Sequence, residues 1–171
     1  GGKGEKEINE KRLEGVGGSS RIVSVAGEQS LLEFWALVKG VDYFIGNNSG
    51  PKHIACIQGV PTLSIDGMSD ENEWSAPGRA HLSVRKVMNC SPCPYFLKEP
   101  CPKGGLCLVR LSAGDECRGL ARLMLLSPKT QRGRKLANAI CEQLDGNTVI
   151  VHCTLMLHSY IASAVRRMSH T

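Results

Sequence analysis

The sequence predicts an α/β protein built on a parallel sheet, and three observations carry that reading. Short β-prone runs alternate with helix-forming runs along residues 5–126, a sharp Gly/Asn/Ser turn joins one strand directly to the helix that follows it, and Gly59 is placed to end that helix before the next buried strand. The 171 residues are 42% hydrophobic and 22% charged, enough to bury one good core and far from the composition of a disordered chain. No apolar stretch reaches the roughly 18 residues that a membrane-spanning helix needs.

The elements follow in order. Residues 5–13 read as a helix, 15–20 as a loop and 21–26 as a strand. Residues 30–39 read as a helix capped by Ser30, and 42–45 as a strand with β-prone Tyr43, Phe44 and Ile45. Gly46 to Gly50 then allow a tight polar turn, and Pro51 is pre-set for the first helical position. Residues 54–58 continue a short helix that Gly59 is placed to end, and 60–65 form the next buried strand. Beyond it the sequence predicts a polar loop at 67–80 anchored by Trp74, a strand at 82–87, a cysteine loop at 89–108 and a helix at 115–126.

The unit of strand, turn, helix and strand around residues 41–65 has the form of a phosphate cradle. A helix N-terminus presents unpaired N–H groups and a partial positive charge, which suits a diphosphate. Glycines at strand-to-helix junctions also occur in any parallel α/β protein, so spacing alone leaves the cradle and a plain structural turn both open. The turn is not a Walker loop, since no Gly-Lys-Ser/Thr follows, and Gly2-Lys3-Gly4 lacks the third glycine of a dinucleotide fingerprint. Asp70, Glu71 and Glu73 form an acidic cluster whose plain reading is a solvated loop.

Eight cysteines fall into two groups. Cys90, Cys93, Cys101 and Cys107 lie in one Pro/Gly-rich loop as C-x2-C-x7-C-x5-C, whereas Cys56, Cys117, Cys141 and Cys153 are scattered as core or free thiols. Four clustered thiols suit a tetrahedral structural zinc, and reduced thiols or a disulfide-prone loop are the competing readings. No finger-like basic helix follows them, which argues against a zinc ribbon that binds nucleic acid.

The formal charge of +5 lies in the tail, where residues 116–171 hold 8 Lys/Arg against 3 Asp/Glu. Residues 127–133 read as a linker, 134–144 as a helix, 147–153 as a strand and 155–168 as an apolar helix ending in Arg166 and Arg167. This basic tail, 127–171, suggests peripheral contact with an anionic membrane, against the plainer reading of a core helix. Arg132, Arg134 and Lys135 are too few for a nucleic-acid surface, so no nucleic-acid partner is expected.

Asn48-Ser49-Gly50-Pro51-Lys52-His53, then Ile54-Ala55, Gly59-Val60-Pro61-Thr62 and Gly67, resemble the donor-site motif of the heptosyltransferase family, glycosyltransferase family 9, whose usual form is Asp-Ser/Thr-Gly-x-x-His. Gly1-Gly2-Lys3-Gly4-Glu5 resembles the family's Gly-Gly-x-x-Glu, 26–31 resembles the stretch entering the next helix, and Cys90-Ser91-Pro92-Cys93 opens a cysteine cluster found in part of the family. The resemblance covers about residues 1–126.

It implies the C-terminal half of a GT-B glycosyltransferase, an incomplete Rossmann-like domain that holds a nucleotide-sugar donor. The implied activity is inverting transfer of a heptose or related sugar from an ADP-sugar to a lipopolysaccharide core acceptor. Glu5, Asn48, Ser49, Gly50 and His53 are then the donor-binding residues, with Glu5 at the ribose. No catalytic residue is assigned, because the family places its base in an N-terminal domain that this chain does not match, so the isolated chain is expected to be inactive. The transfer requires no cofactor, and the implied location is cytoplasmic, peripheral to the inner membrane. Two departures stand out: Asn48 replaces the family's Asp and cannot act as a base, and Met68 replaces a loop proline. The alternative is a non-catalytic remnant or metal-stabilised interaction module that keeps the fold.

Overall fold

Short runs with apolar residues at alternate positions, separated by helical segments, can bury both faces of a sheet only by laying helices on each side. The computed structural model describes residues 4, 6–15, 24–94 and 101–127 and shows that arrangement. Helices α1 (Lys6–Gly15) and α2 (Leu31–Lys39) precede strand β1 (Phe44–Asn47), helix α3 (Gly50–Ile57) and strand β2 (Thr62–Ile65). A single turn of helix, α4 (Glu71–Trp74), leads to strand β3 (His81–Val84), and α5 (Leu106–Val109) and α6 (Ala113–Leu126) follow. The sheet is parallel throughout in the order β1-β2-β3, with Phe44 opposite Thr62 and Thr62 opposite His81.

Strand alternation sorts the core into two layers. Ile45, Leu63 and Ile65 pack with Leu111, Cys117, Leu120, Ala121, Leu123 and Met124, so α6 covers one face. Phe44 packs instead with Val38, Ala55 and Val60, so α2 and α3 cover the other. On the second face β2 carries Thr62 and Ser64, both buried, and their hydroxyls are satisfied across the sheet. Thr62 Oγ1 lies 3.0 Å from His81 Nδ1, and Ser64 Oγ lies 2.8 Å from Ser83 Oγ. Cys56 Sγ closes this polar stripe, 3.5 Å from His81 Nδ1.

Capping boxes start two helices. Ser30 accepts from the Glu33 N–H while Glu33 accepts from the Ser30 N–H at 2.7 Å, as the sequence predicts for α2. Ser112 and Asp115 make the same exchange for α6, which therefore begins at Ala113 and not at 115. The signal was Ser-x-x-Asp, with Asp taking the place of the usual Glu. Asp115 also pairs with Lys86 at 2.9 Å and Arg118 at 2.8 Å, tying the helix start to the segment after β3. At the other end the Tyr43 hydroxyl donates to the Ser127 carbonyl at 2.9 Å.

Several expected boundaries move. β1 runs to Asn47, two residues further than predicted, because Gly46 and Asn47 pair with Ser64 and Ile65 of β2. The polar turn shrinks accordingly to Asn48 and Ser49, α3 opens at Gly50, and Pro51 is its second residue. The described part of the expected strand at 21–26, residues 24–26, is outside the sheet. β3 is 81–84, shorter than the 82–87 expected and one residue earlier, and the loop at 67–80 contains α4. Trp74 is 44% exposed and so is no hydrophobic anchor for that loop. The expected tail elements at 134–168 lie outside the described residues, as does most of the linker.

Close approach of α6 to the sheet depends on Gly119. A methyl group there would collide with Val84 Cγ2 and stand 3.1 Å from Leu63 Cδ1. Gly119→Ala gains about 1 kcal/mol of helix propensity, but overpacking at a filled contact costs about 1–3 kcal/mol. Net destabilisation is expected, read as a lower urea midpoint at unchanged slope.

Glu116 gives a pH signature. Burial, with the Asp115 carboxylate beside it, pushes its carboxyl up to about 7, and its Oε2 is buried without a hydrogen-bond partner among the described residues. A carboxyl raised in the folded state costs stability where it is forced to ionise. The cost is full above about pH 7, shrinks as pH falls, and is gone below the unfolded value near 4.5. Glu116→Gln is therefore expected to stabilise the chain by roughly 1 kcal/mol at pH 8.5, after discounting for partial solvation. The two proteins should converge by pH 4.5 in denaturant titrations.

Candidate functional site

Asn47 ends β1 and Ile65 ends β2, so the turn entering α3 and the loop after β2 lie side by side at the carboxyl edge of the sheet, the usual ligand edge of open α/β folds. Ser49 is the N-cap of α3 in extended conformation, and its side chain makes no capping bond. Its hydroxyl donates to the Asn47 carbonyl at 3.3 Å, and its own carbonyl accepts from the Lys52 N–H at 3.0 Å and the His53 N–H at 3.4 Å. Pro51 has no N–H. The N–H groups of Ser49 and Gly50 are thus the donors this helix end has left over among the described residues.

Below the turn lies a polar cluster that sequence reasoning did not find. Lys52 is 2% exposed, and its ammonium donates to Asn48 Oδ1 at 2.7 Å and to the Trp74 carbonyl. The Asn48 amide nitrogen donates to Asp66 Oδ2 at 3.0 Å and to Ser69 Oγ at 2.8 Å, and the Ser69 hydroxyl donates to Asp66 Oδ1. Both Asp66 and Ser69 are buried. Burial lowers the Lys52 pKa below the ordinary lysine range, with Cys56 and Asp66 pulling it partly back. A buried cation and a buried carboxylate are bridged here by one amide, which satisfies each with hydrogen bonds. The signal available in the sequence was a Lys one residue before His53 in an otherwise apolar helix, with Asp66 directly after β2.

His53 stands in the first turn of α3 beside Trp74, ring centroids 6.2 Å apart and tilted by 58°. Burial and the neighbouring Lys52 lower its pKa, so the ring is neutral near pH 7 and offers one donor and one acceptor. The turn therefore gathers Asn48, Ser49, Gly50 and His53 in one place. Asn48 spends both amide hydrogens on Asp66 and Ser69, making it a brace of the turn. Glu5 lies outside the described residues.

The sequence model of glycosyltransferase family 9 (heptosyltransferase) matches residues 1–103, which include this turn and the first loop cysteines. The chain belongs to that family. The parallel sheet with helices on both faces is the Rossmann-like architecture of a GT-B half-domain, as the motif series implied. No curated protein and no solved structure matches the chain. Among the described residues no helix is long and apolar enough to cross a membrane.

The four loop cysteines come together. Cys90, Cys93, Cys101 and Cys107 are free, half-buried thiols that line one pocket with Gly67 and Met88. The neighbouring backbone N–H groups of Gly105 and Lys103 lower the Cys101 pKa, while burial raises that of Cys107. Leu108 of α5 packs onto Gly67 so closely that a Cβ there would stand 2.5 Å from its Cγ, which fixes the cysteine loop against the loop after β2. Cys117, in contrast, is buried in the core, and Cys56 belongs to the polar stripe.

Asn48→Asp tests the brace. It removes two donated hydrogen bonds and sets a second carboxylate against Asp66, and an unsatisfied buried group costs about 1–3 kcal/mol. The variant is therefore expected to be destabilised by about that amount at pH 7.5, read as a lower urea midpoint at unchanged slope.

Proposed function

We propose that this chain is the donor-holding part of a glycosyltransferase that passes a heptose or related sugar from an ADP-sugar to a lipopolysaccharide core acceptor. The observation that carries the reading is the N-terminus of α3 at the carboxyl edge of the sheet, with the N–H groups of Ser49 and Gly50 left for a ligand, in a chain of the heptosyltransferase family. A diphosphate there gains hydrogen bonds and the favourable end of the helix dipole. Ser49 and neutral His53 supply further polar contacts for phosphate or sugar oxygens, and Glu5 is assigned to the ribose. During transfer the same donors offset charge building on the departing diphosphate. Asn48 has no ionisable group and so is not the base that takes the acceptor proton.

One observation favours a second reading, a module that binds without turning over. Asn48 stands at the position of the family's Asp, cannot carry charge, and is committed to its brace.

ADP is the probe for the donor reading. Titration is expected to move the amide resonances of Ser49 and Gly50 first. Gly50→Asp is a clean variant, because nothing lies within 4 Å of a Cβ at that position and an acid in the first turn favours the helix. It should leave the fold intact and weaken ADP about tenfold or more, roughly 1.4 kcal/mol. Unmoved Gly50 resonances at millimolar ADP would overturn the reading.

A further inference from the structure

We propose that Cys90, Cys93, Cys101 and Cys107 bind one structural zinc ion that locks the loop carrying them against the turn at Gly67. Cys90 and Cys93 sit on one turn, Cys101 on a second and Cys107 in α5, yet all four line the same pocket. Each turn has its own backbone bracing. On the first, the Ser91 N–H donates to the Met88 carbonyl at 2.9 Å and the Cys93 N–H donates to the Met68 carbonyl at 3.3 Å. On the second, the Gly104 N–H donates to the Cys101 carbonyl at 3.0 Å, and Gly104 and Gly105 both take left-handed conformations, with φ of 58° and 70°.

Four sulfurs with no carboxylate or imidazole among the described pocket residues are a soft donor set, which suits tetrahedral zinc over magnesium or calcium. Lys103 borders the pocket and partly offsets the negative charge of four thiolates around a divalent ion. Among the described residues no three such side chains are already gathered at ligand distances, so the ion itself must draw the sulfurs inward. Neutral thiols have little mutual attraction, and an ion that binds only the folded loop contributes its binding energy to that closure.

The site is independent of the α3 turn, so its test does not depend on nucleotide binding. The 171-residue chain purified under reducing conditions is expected to carry about one zinc per molecule. After exchange with cobalt it should show a thiolate-to-metal charge-transfer band with tetrahedral d–d bands. Cys93→Ser and Cys107→Ser should each lose the cobalt spectrum, while Cys56→Ser, outside the pocket, retains it. Amide resonances of β1 and α3 report whether each variant is still folded. Should Cys93→Ser or Cys107→Ser unfold, protection of the four loop thiols from alkylation by zinc in the unmodified chain decides instead. A metal-free chain whose loop thiols alkylate equally with and without added zinc, or a cobalt spectrum that survives Cys93→Ser, would overturn the proposal.

Discussion

The bridge from Lys52 through Asn48 to Asp66 is the constraint on which the carboxyl edge of this sheet depends. Two opposite charges are held out of water there, and each would be costly alone. Asn48 makes the pairing possible because an amide accepts from the cation and donates to the carboxylate at the same time. Through that one side chain the first turn of α3 is joined to the end of β2, and through the Trp74 carbonyl Lys52 joins both to α4. Three segments distant in sequence thus share one hydrogen-bonded knot directly beneath the exposed turn.

The sheet supports the knot by dividing its two faces between different chemistries. β2 and β3 read T-L-S-I and H-L-S-V, so period 2 turns leucine, isoleucine and valine to α6 and turns the polar residues to α3. Dry packing on the α6 side is close enough to require glycine at 119. The α3 side accepts Thr62, Ser64, Ser83 and His81 only because they pair across adjacent strands. A slip of one residue in register would set hydroxyls against α6 and leucine against His81, so the polar stripe fixes the alignment of β2 with β3 as firmly as the core does.

The parallel sheet, the helix cap at Ser30 and the strand-turn-helix at the ligand edge were legible because they depend on local signals: periodicity, a capping residue, glycine and proline. The length of β1 was not, since Gly46 and Asn47 look like turn residues and become strand only by pairing with Ser64 and Ile65. Lys52 was passed over for a related reason. A lysine beside a histidine in a first helical turn reads as solvent-exposed, and its burial follows from Asp66 and Trp74 arriving from elsewhere in the chain. Trp74 errs in the opposite direction, a large apolar side chain that the fold leaves half in water while using its carbonyl. The clustering of the loop cysteines was visible in their spacing, but the pocket they line also takes Gly67 and Met88 from segments before the loop.

The knot also decides what kind of attraction the turn can exert. With Lys52 joined through Asn48 to Asp66 and His53 uncharged near neutral pH, no full positive side-chain charge among the described residues of the turn is free to draw an anion from a distance. What remains is the helix end, equivalent to about half a charge and effective only within its first turn. Recognition by such a site is short-ranged and depends on where the ligand oxygens fall relative to two N–H groups. On the proposed reading, that favours a diphosphate held at a fixed angle over an anion attracted by charge alone. On that same reading, donors fixed at the helix end act where charge develops on the departing diphosphate.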